Sequence, residues 1–226
     1  LDKSFYEEIC KEYPDEEFFE KKIEKKKNDK KFEKFNFSNV DKNKDLFYNF
    51  LNSTKATKEF YNYINSEIFR NELNSFLKKN YIDLRINVNR GSYLRELLNK
   101  ILKKNVKFDF EFSSIPLKNG YILPHTDGGN KLLGFVIPII DDIEILKAKN
   151  IGTKILKANS NEFKFNYYNK TVPFDKTELV RELPFEKNQM TIHVKTFNSL
   201  HAVGPIDTND IKKDLVRKSI SMFLVK

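Results

Sequence analysis

Two periodicities divide the chain. Over residues 1–80, apolar positions recur at helical spacing. Phe5, Ile9, Phe18, Phe19 and Ile23 mark a first stretch, and Phe47, Phe50, Leu51, Phe60, Ile64 and Ile68 a second. Pro14 interrupts the first, and Asp15 is placed to cap a new helix after it. The run KKIEKKKNDKK reads as a solvated helix face or loop, with a contact surface as the alternative. Near residue 81 the period shortens. YIDLRINVN alternates as a strand does, RGSYLRELLNKILKKN has the pattern of a short helix, and short strand-like runs follow: VKFDFEFSSI, GYILPH, LLGFVIPII, TKILKA, FKFNYY, MTIHVKT and SISMFLVK. Gly, Asn and Pro punctuate them. Helices first and strands afterwards predict a mainly β, α+β molecule. Its core is an all-β barrel or double-sheet jelly roll over 81–226, with 1–80 as a helical extension packed on it in one integrated domain. There is no internal repeat and no linker.

Composition sharpens this only in places. A chain of 226 residues can bury a real core, and 21 Phe and 10 Tyr supply bulky anchors where Trp is absent. The abundance of Lys and Asn reads as compositional bias. The net charge of +9 is uneven: residues 1–80 carry 17 Lys+Arg against 16 Asp+Glu, residues 81–226 carry 24 against 16. A basic half can attract nucleic acid, an anionic membrane surface or a small anionic substrate. It lacks the Arg-rich, aromatic-interleaved clusters of a nucleic-acid surface, so nucleic acid is disfavoured and scattered solvated Lys is the default account. One cysteine, Cys10, excludes an internal disulfide and a Cys-based metal site, and fits a reducing, cytoplasmic setting. No apolar run is long enough for a transmembrane helix, and no membrane partner is expected. The start is charged and has no apolar signal region; without an initiator Met the chain reads as trimmed, with an upstream segment lost.

The candidate chemistry lies in ILPHTDGG and FNSLHAVGPI. His125 and Asp127 are two apart, so a regular strand points both the same way, with Thr126 opposite. His201, from a neighbouring strand, would complete two imidazoles and one carboxylate, the facial donor set that suits Fe(II) and leaves positions open. Gly128 and Gly129 fit a tight turn beside the metal. Arg217 and Ser219, in VRKSISMF, share a strand face. A buried Arg there is what the far end of a dicarboxylate would need. Lys213 and Lys218 are possible substitutes, although Lys218 would face opposite Arg217. His193, in MTIHVKT, reads as a satisfied structural residue, with a supporting or substitute role at the metal as the alternative. Asn130 and Lys131 follow the metal loop, close enough to touch substrate. Asp141 and Asp142 mark a turn. Arg85, Arg90 and Arg95 read as solvated, with a substrate cleft as the alternative.

HxD alone is a weak signal. HxD, a distant His followed by Val-Gly-Pro, and Arg-x-Ser in a terminal strand are together much stronger. On NGYILPHTD, SLHAVGPI and RKSISMF, the region from about residue 105 to 226 resembles the Fe(II)/2-oxoglutarate-dependent dioxygenases, and most closely their prolyl-4-hydroxylase-like branch. The resemblance implies a double-stranded β-helix, iron on His125, Asp127 and His201, and Arg217 paired with the distal carboxylate of 2-oxoglutarate, with Ser219 bonding the same group. Tyr121 is a candidate for lining the co-substrate pocket or for ordinary barrel packing. The implied activity is hydroxylation of a substrate C–H with O2, 2-oxoglutarate becoming succinate and CO2, and ascorbate a candidate aid. The substrate is expected to be a small molecule, or a peptidyl or glycan-type group. The alternatives are a non-catalytic jelly-roll binding or regulatory module and a nucleic-acid-modifying dioxygenase. Three features depart from the pattern. SSIPL stands where many such hydroxylases have a co-substrate-binding Tyr; the interval from Asp127 to His201 is long, its surplus expected as extra strands or a lid within 141–188; and the interval from His201 to Arg217 is extended by the polar loop IDTNDIKKDL.

Overall fold

Strands with one apolar and one polar face order this molecule, because each needs a hydrophobic cover on one side only. The computed structural model describes residues 1–24, 32–40, 44–84, 106–166, 168–209 and 211–226. The helices are α1 (Lys3–Lys11), α2 (Lys44–Ser53), α3 (Ala56–Ile64) and α4 (Glu67–Lys79). The strands are β1 (Glu20–Glu24), β2 (Phe32–Ser38), β3 (Lys107–Pro116), β4 (Ile122–His125), β5 (Lys131–Ile139), β6 (Thr153–Ala158), β7 (Thr177–Leu183), β8 (Thr191–Val194), β9 (Leu200–Val203) and β10 (Val216–Val225). They form a six-stranded sheet, β1-β2-β3-β10-β5-β8, and a four-stranded sheet, β4-β9-β6-β7, with every pair antiparallel.

The period of two in β3, β5 and β10 divides the larger sheet cleanly. Phe108, Phe110 and Phe112, then Leu133, Phe135 and Ile137, then Ile220, Met222 and Leu224 are all buried in one hydrophobic cluster with residues of α1 to α4. Phe47 of α2 is fully buried there, in ring contact with Phe37, Phe110 and Phe112. The intervening residues, Glu111 and Ser113 of β3 and Arg217, Ser219 and Ser221 of β10, face a cavity instead. Helices thus cover one face of the sheet, and the other face carries the polar groups.

Caps fix the helical layer. Asp2 accepts from Ser4 N–H at 2.9 Å at the start of α1, and Ser66 Oγ accepts from Phe69 N–H at 3.2 Å at the start of α4. The N-terminus of α3 is capped from another element: Glu12, just past α1, accepts from the N–H groups of Lys55, Ala56 and Thr57 at 3.0, 3.1 and 2.7 Å.

Three expectations change here. Residues 1–80 are not wholly helical: beyond Pro14 a short 3-10 turn, Glu16–Phe18, leads to the β1–β2 pair, and β2 joins the larger sheet beside β3. Asp15 stands at the start of that turn without a side-chain capping bond. The reason β2 pairs is its alternation, Phe35-Asn36-Phe37-Ser38, which buries Phe37 against the helices. The stretch 141–188 supplies strands, one of the two forms expected of it: β6 and β7 pair with each other, and β6 pairs directly with β9. FKFNYY forms no strand among the described residues; Asn161–Phe163 is a 3-10 turn. The readings of YIDLRINVN beyond residue 84, of RGSYLRELLNKILKKN with Arg85, Arg90 and Arg95, and of residues 25–31 of the charge run lie outside the described residues. Among the described residues, no helix is long and apolar enough to cross a membrane.

Candidate metal centre

The smaller sheet brings the two outer histidines together. His125 ends β4 and His201 lies on β9, and the two are direct cross-strand partners. Their ring centroids are 4.3 Å apart. His125 Nδ1 donates to the Leu123 carbonyl at 2.8 Å and His201 Nδ1 to the Ser199 carbonyl at 3.2 Å. Each bond fixes the tautomer and leaves the Nε2 lone pair free for a cation. Asp127 reaches the same place by a different route from strand parity. The strand has ended, and Asp127 takes a left-handed backbone conformation, φ 69°. Thr126, wholly buried, anchors that turn: its Oγ1 donates to the Asn166 carbonyl at 2.8 Å and its N–H to Asn169 Oδ1 at 3.1 Å. The chain then closes through Lys131 N–H to the Gly128 carbonyl at 3.1 Å. The tight turn expected at Gly128 and Gly129 thus begins one residue earlier, with the left-handed φ carried by Asp127 itself.

One donor atom each from His125, Asp127 and His201 lies within 4.8 Å of the others. His201 Nε2 is 3.3 Å from Asp127 Oδ2, and His125 Nε2 is 3.8 Å from Oδ1. Burial raises the Asp127 carboxyl, but the hydrogen bond from His193 and the nearby His201, Lys131 and His125 outweigh it and hold the group far below the usual carboxylate range. Burial pushes both His125 and His201 down; for His201 the neighbouring His125 and His193 add to it. Two neutral imidazoles and an ionised carboxylate, their donor atoms converging, are the protonation states a divalent ion requires. The residues therefore fit the ion.

Two further groups crowd Asp127. His193 of β8 places Nε2 at 3.2 Å from Oδ2, and its ring is 4.4 Å from that of His201. It is not the satisfied structural residue expected, since its Nδ1 is buried with no partner. The legible signal was Gly134 inside a strand, because glycine there marks a close approach. Gly134 is the cross-strand partner of His193, and a Cβ on it would lie 2.2 Å from His193 Cε1. Lys131 donates from Nζ to Asp127 Oδ1 at 2.8 Å while lying 3.1 Å above the Phe223 ring.

The metal donors open on a cavity of about 330 Å³ between the sheets. Arg217 and Ser219 line it from β10, as their shared parity requires, and are 3% and 1% exposed. Arg217 Nε donates to the Ile151 carbonyl at 2.9 Å, and its guanidinium lies 4.6 Å from the centroid of Phe185. Burial lowers its pKa to about 10, which leaves it charged at neutral pH. Among the described residues no ion pair reaches it. Lys218 bonds Asp141 and Lys213 bonds Asp142, so neither stands in for Arg217. Tyr121 lies outside the cavity lining, its ring edge-on to Phe174. Sequence reasoning missed Asn36 and Lys34 of β2 and Glu111 and Ser113 of β3, all of which line the cavity. Ser113, in the SSIPL segment, stands opposite both Asn36 and Ser219.

Neither a family model nor a curated protein matches this sequence. Among solved structures, the chain is similar to an oxidoreductase of the 2OG-Fe(II) oxygenase family from Burkholderia pseudomallei, at 8% identity and TM-score 0.47 over 92% of this chain and 72% of that one. It is also similar to a prolyl-4-hydroxylase from Pseudomonas putida, at 10% identity and TM-score 0.42 over 86% of this chain and 70% of that one. At these values the site geometry, and not the likeness, has to support a function.

Proposed function

We propose that this protein is an Fe(II)- and 2-oxoglutarate-dependent oxygenase that hydroxylates a C–H bond, built on a double-stranded β-helix. The strand orders β3-β10-β5-β8 and β4-β9-β6-β7 support the architecture: apart from the β6–β7 hairpin, successive strands pass from one sheet to the other, as in a jelly roll. The single observation that carries the function is a converging His125, Asp127 and His201 facing the same cavity as Arg217, a buried cation with no ion pair among the described residues. A buried guanidinium is costly unless an anion pairs with it, and a dicarboxylate that also reaches the metal would do so.

Each residue then has a task. His125 and His201 offer Nε2, Asp127 offers a carboxylate oxygen, and Arg217 with Ser219 binds and orients the distal carboxylate of 2-oxoglutarate. Ser113 adds a hydroxyl on the same face. Lys131 must release Asp127 Oδ1 if that oxygen is to serve the ion. When bound, iron with 2-oxoglutarate and O2 supplies the oxidation, which yields succinate, CO2 and a hydroxylated product. Ile122, Leu123, Val136, Ala202, Val203 and Phe223 form the apolar part of the lining, which limits water near the reacting centre. The substrate class is a small molecule or a peptidyl or glycan-type group, ascorbate is a candidate aid, and the single Cys10 supports a reducing, cytoplasmic setting.

The test is succinate release from 2-oxoglutarate under air, with and without Fe(II). Slow uncoupled turnover that needs iron and disappears in His201→Ala is expected. A folded, iron-loaded chain that never consumes 2-oxoglutarate, even with a broad substrate panel, would overturn the reading.

A further inference from the structure

We propose that His193 is a positioning residue for the metal centre: its Nε2–H holds Oδ2 of Asp127 and so sets the orientation in which the carboxylate meets an ion shared with His125 and His201. This rests on the metal reading above. Three observations carry it.

The first is the contact. Nε2 of His193 is 3.2 Å from Asp127 Oδ2, within a side chain that is only 10% exposed. A neutral imidazole has one N–H. Placed on Nδ1, it would be buried without an acceptor, and the Nε2 lone pair would face an ionised carboxylate. Placed on Nε2, it meets that carboxylate, so the contact selects this tautomer.

The second is the berth. His193 and Gly134 are paired across β8 and β5, and a Cβ at 134 would lie 2.2 Å from Cε1 and 2.3 Å from Nε2 of the ring. The ring reaches Asp127 because strand β5 has no side chain at that point. An alanine there would need to displace it.

The third is exclusion from the donor set. The group whose donor atoms lie mutually within 4.8 Å contains His125, Asp127 and His201, without His193. The two carboxylate oxygens are also held unequally. Lys131 reaches Oδ1 on a long flexible side chain, whereas Oδ2 is gripped by a ring with two torsions set against a strand.

The experiment is an anaerobic titration with Co(II), reading dissociation constant and visible absorption, on the full chain and on His193→Phe, His193→Gln and Gly134→Ala. Folding of each is checked by circular dichroism. His193→Phe and Gly134→Ala are expected to weaken Co(II) binding by about 10- to 100-fold and to alter the absorption bands. His193→Gln, whose amide can still donate, should recover most of the affinity. Wild-type binding that His193→Phe leaves unchanged would overturn this inference alone. So would equal losses in folded His193→Gln and His193→Phe, because the donated hydrogen bond would then not matter. Should His193→Phe fail to fold, Gly134→Ala and His193→Gln decide on the same terms. A wild-type chain that takes up no Co(II) overturns the metal reading first, and this inference with it.

Discussion

Arg217 shows how much one side chain gives up for a site. It is 3% exposed, stays charged, and has a carbonyl and an aromatic face for company, with no ion pair among the described residues. Arg217→Met should therefore raise the stability of the ligand-free protein, by an amount on the order of the 1–4 kcal/mol gained when buried ion pairs give way to apolar groups, since it removes a buried charge that has no ion pair. The same change should weaken 2-oxoglutarate binding by roughly 1.5–3 kcal/mol, the range for a charged hydrogen bond. Thermal unfolding and an isothermal titration check the two halves, and a variant that loses both stability and binding would mark Arg217 as purely structural. The histidines make a prediction about pH. Burial depresses His125 and His201 below their ordinary 6.5, so above that value native and unfolded chains are both neutral there and nothing is lost. As pH falls below 6.5 the unfolded chain takes up protons that the native chain refuses, and stability drops until the lower native values are reached. Asp127, also depressed, acts in the same sense further down: its contribution is present above 3.8 and is lost as pH falls through its native value. Urea unfolding of metal-free protein should show less stability at about pH 5.5 than at about pH 7.5, and equal stability would contradict the neutral, buried imidazoles.

The larger sheet depends on elements that meet it from distant parts of the sequence. Glu12 caps α3 through three N–H groups, and burial, which raises its carboxyl, is outweighed by those bonds, which lower it. Glu12→Gln should cost about 1 kcal/mol, measured by chemical denaturation, since it removes a negative charge at a helix N-terminus. Phe47→Ala should cost about 3–5 kcal/mol by the same measurement, because its ring is wholly buried among Phe37, Phe110 and Phe112. These elements were unequally legible in the sequence. β3, β5 and β10 were plain, because KFDFEF and the start of SISMFLV alternate and LLGFVIPII is a short apolar run. β2 was hidden in Lys- and Glu-rich sequence, where FNFS was too short to stand out from a helical pattern. The β6 run was visible, but its role beside β9 was not, because strand order depends on long-range pairing and leaves no mark on local periodicity. The triad was legible as residue types. The left-handed turn that delivers Asp127 was not, since it is imposed by Thr126 and its partners Asn166 and Asn169. His193 was misread because Gly134 signals a close approach in its strand but local sequence does not show that His193 is what lies across from it.

At the scale of the whole molecule, one sheet serves two environments: a hydrocarbon face under the helices and a polar face lining the cavity. Residues 1–80 cover the first with their helices and extend the second with Lys34 and Asn36. A chain beginning at residue 81 would leave Phe110, Phe112, Phe135 and Met222 uncovered, and it is expected to aggregate or stay unfolded by circular dichroism and light scattering. A soluble, cooperatively folding fragment would show that the core stands alone. The claim beneath all of this is that His125, Asp127 and His201 hold one ion. Anaerobic equilibrium titration of the full chain with Fe(II) tests it directly. One ion per chain is predicted, with binding lost in His125→Ala, Asp127→Ala and His201→Ala while the folded state persists. A folded protein that takes up no Fe(II), or whose uptake is indifferent to these three substitutions, would contradict it.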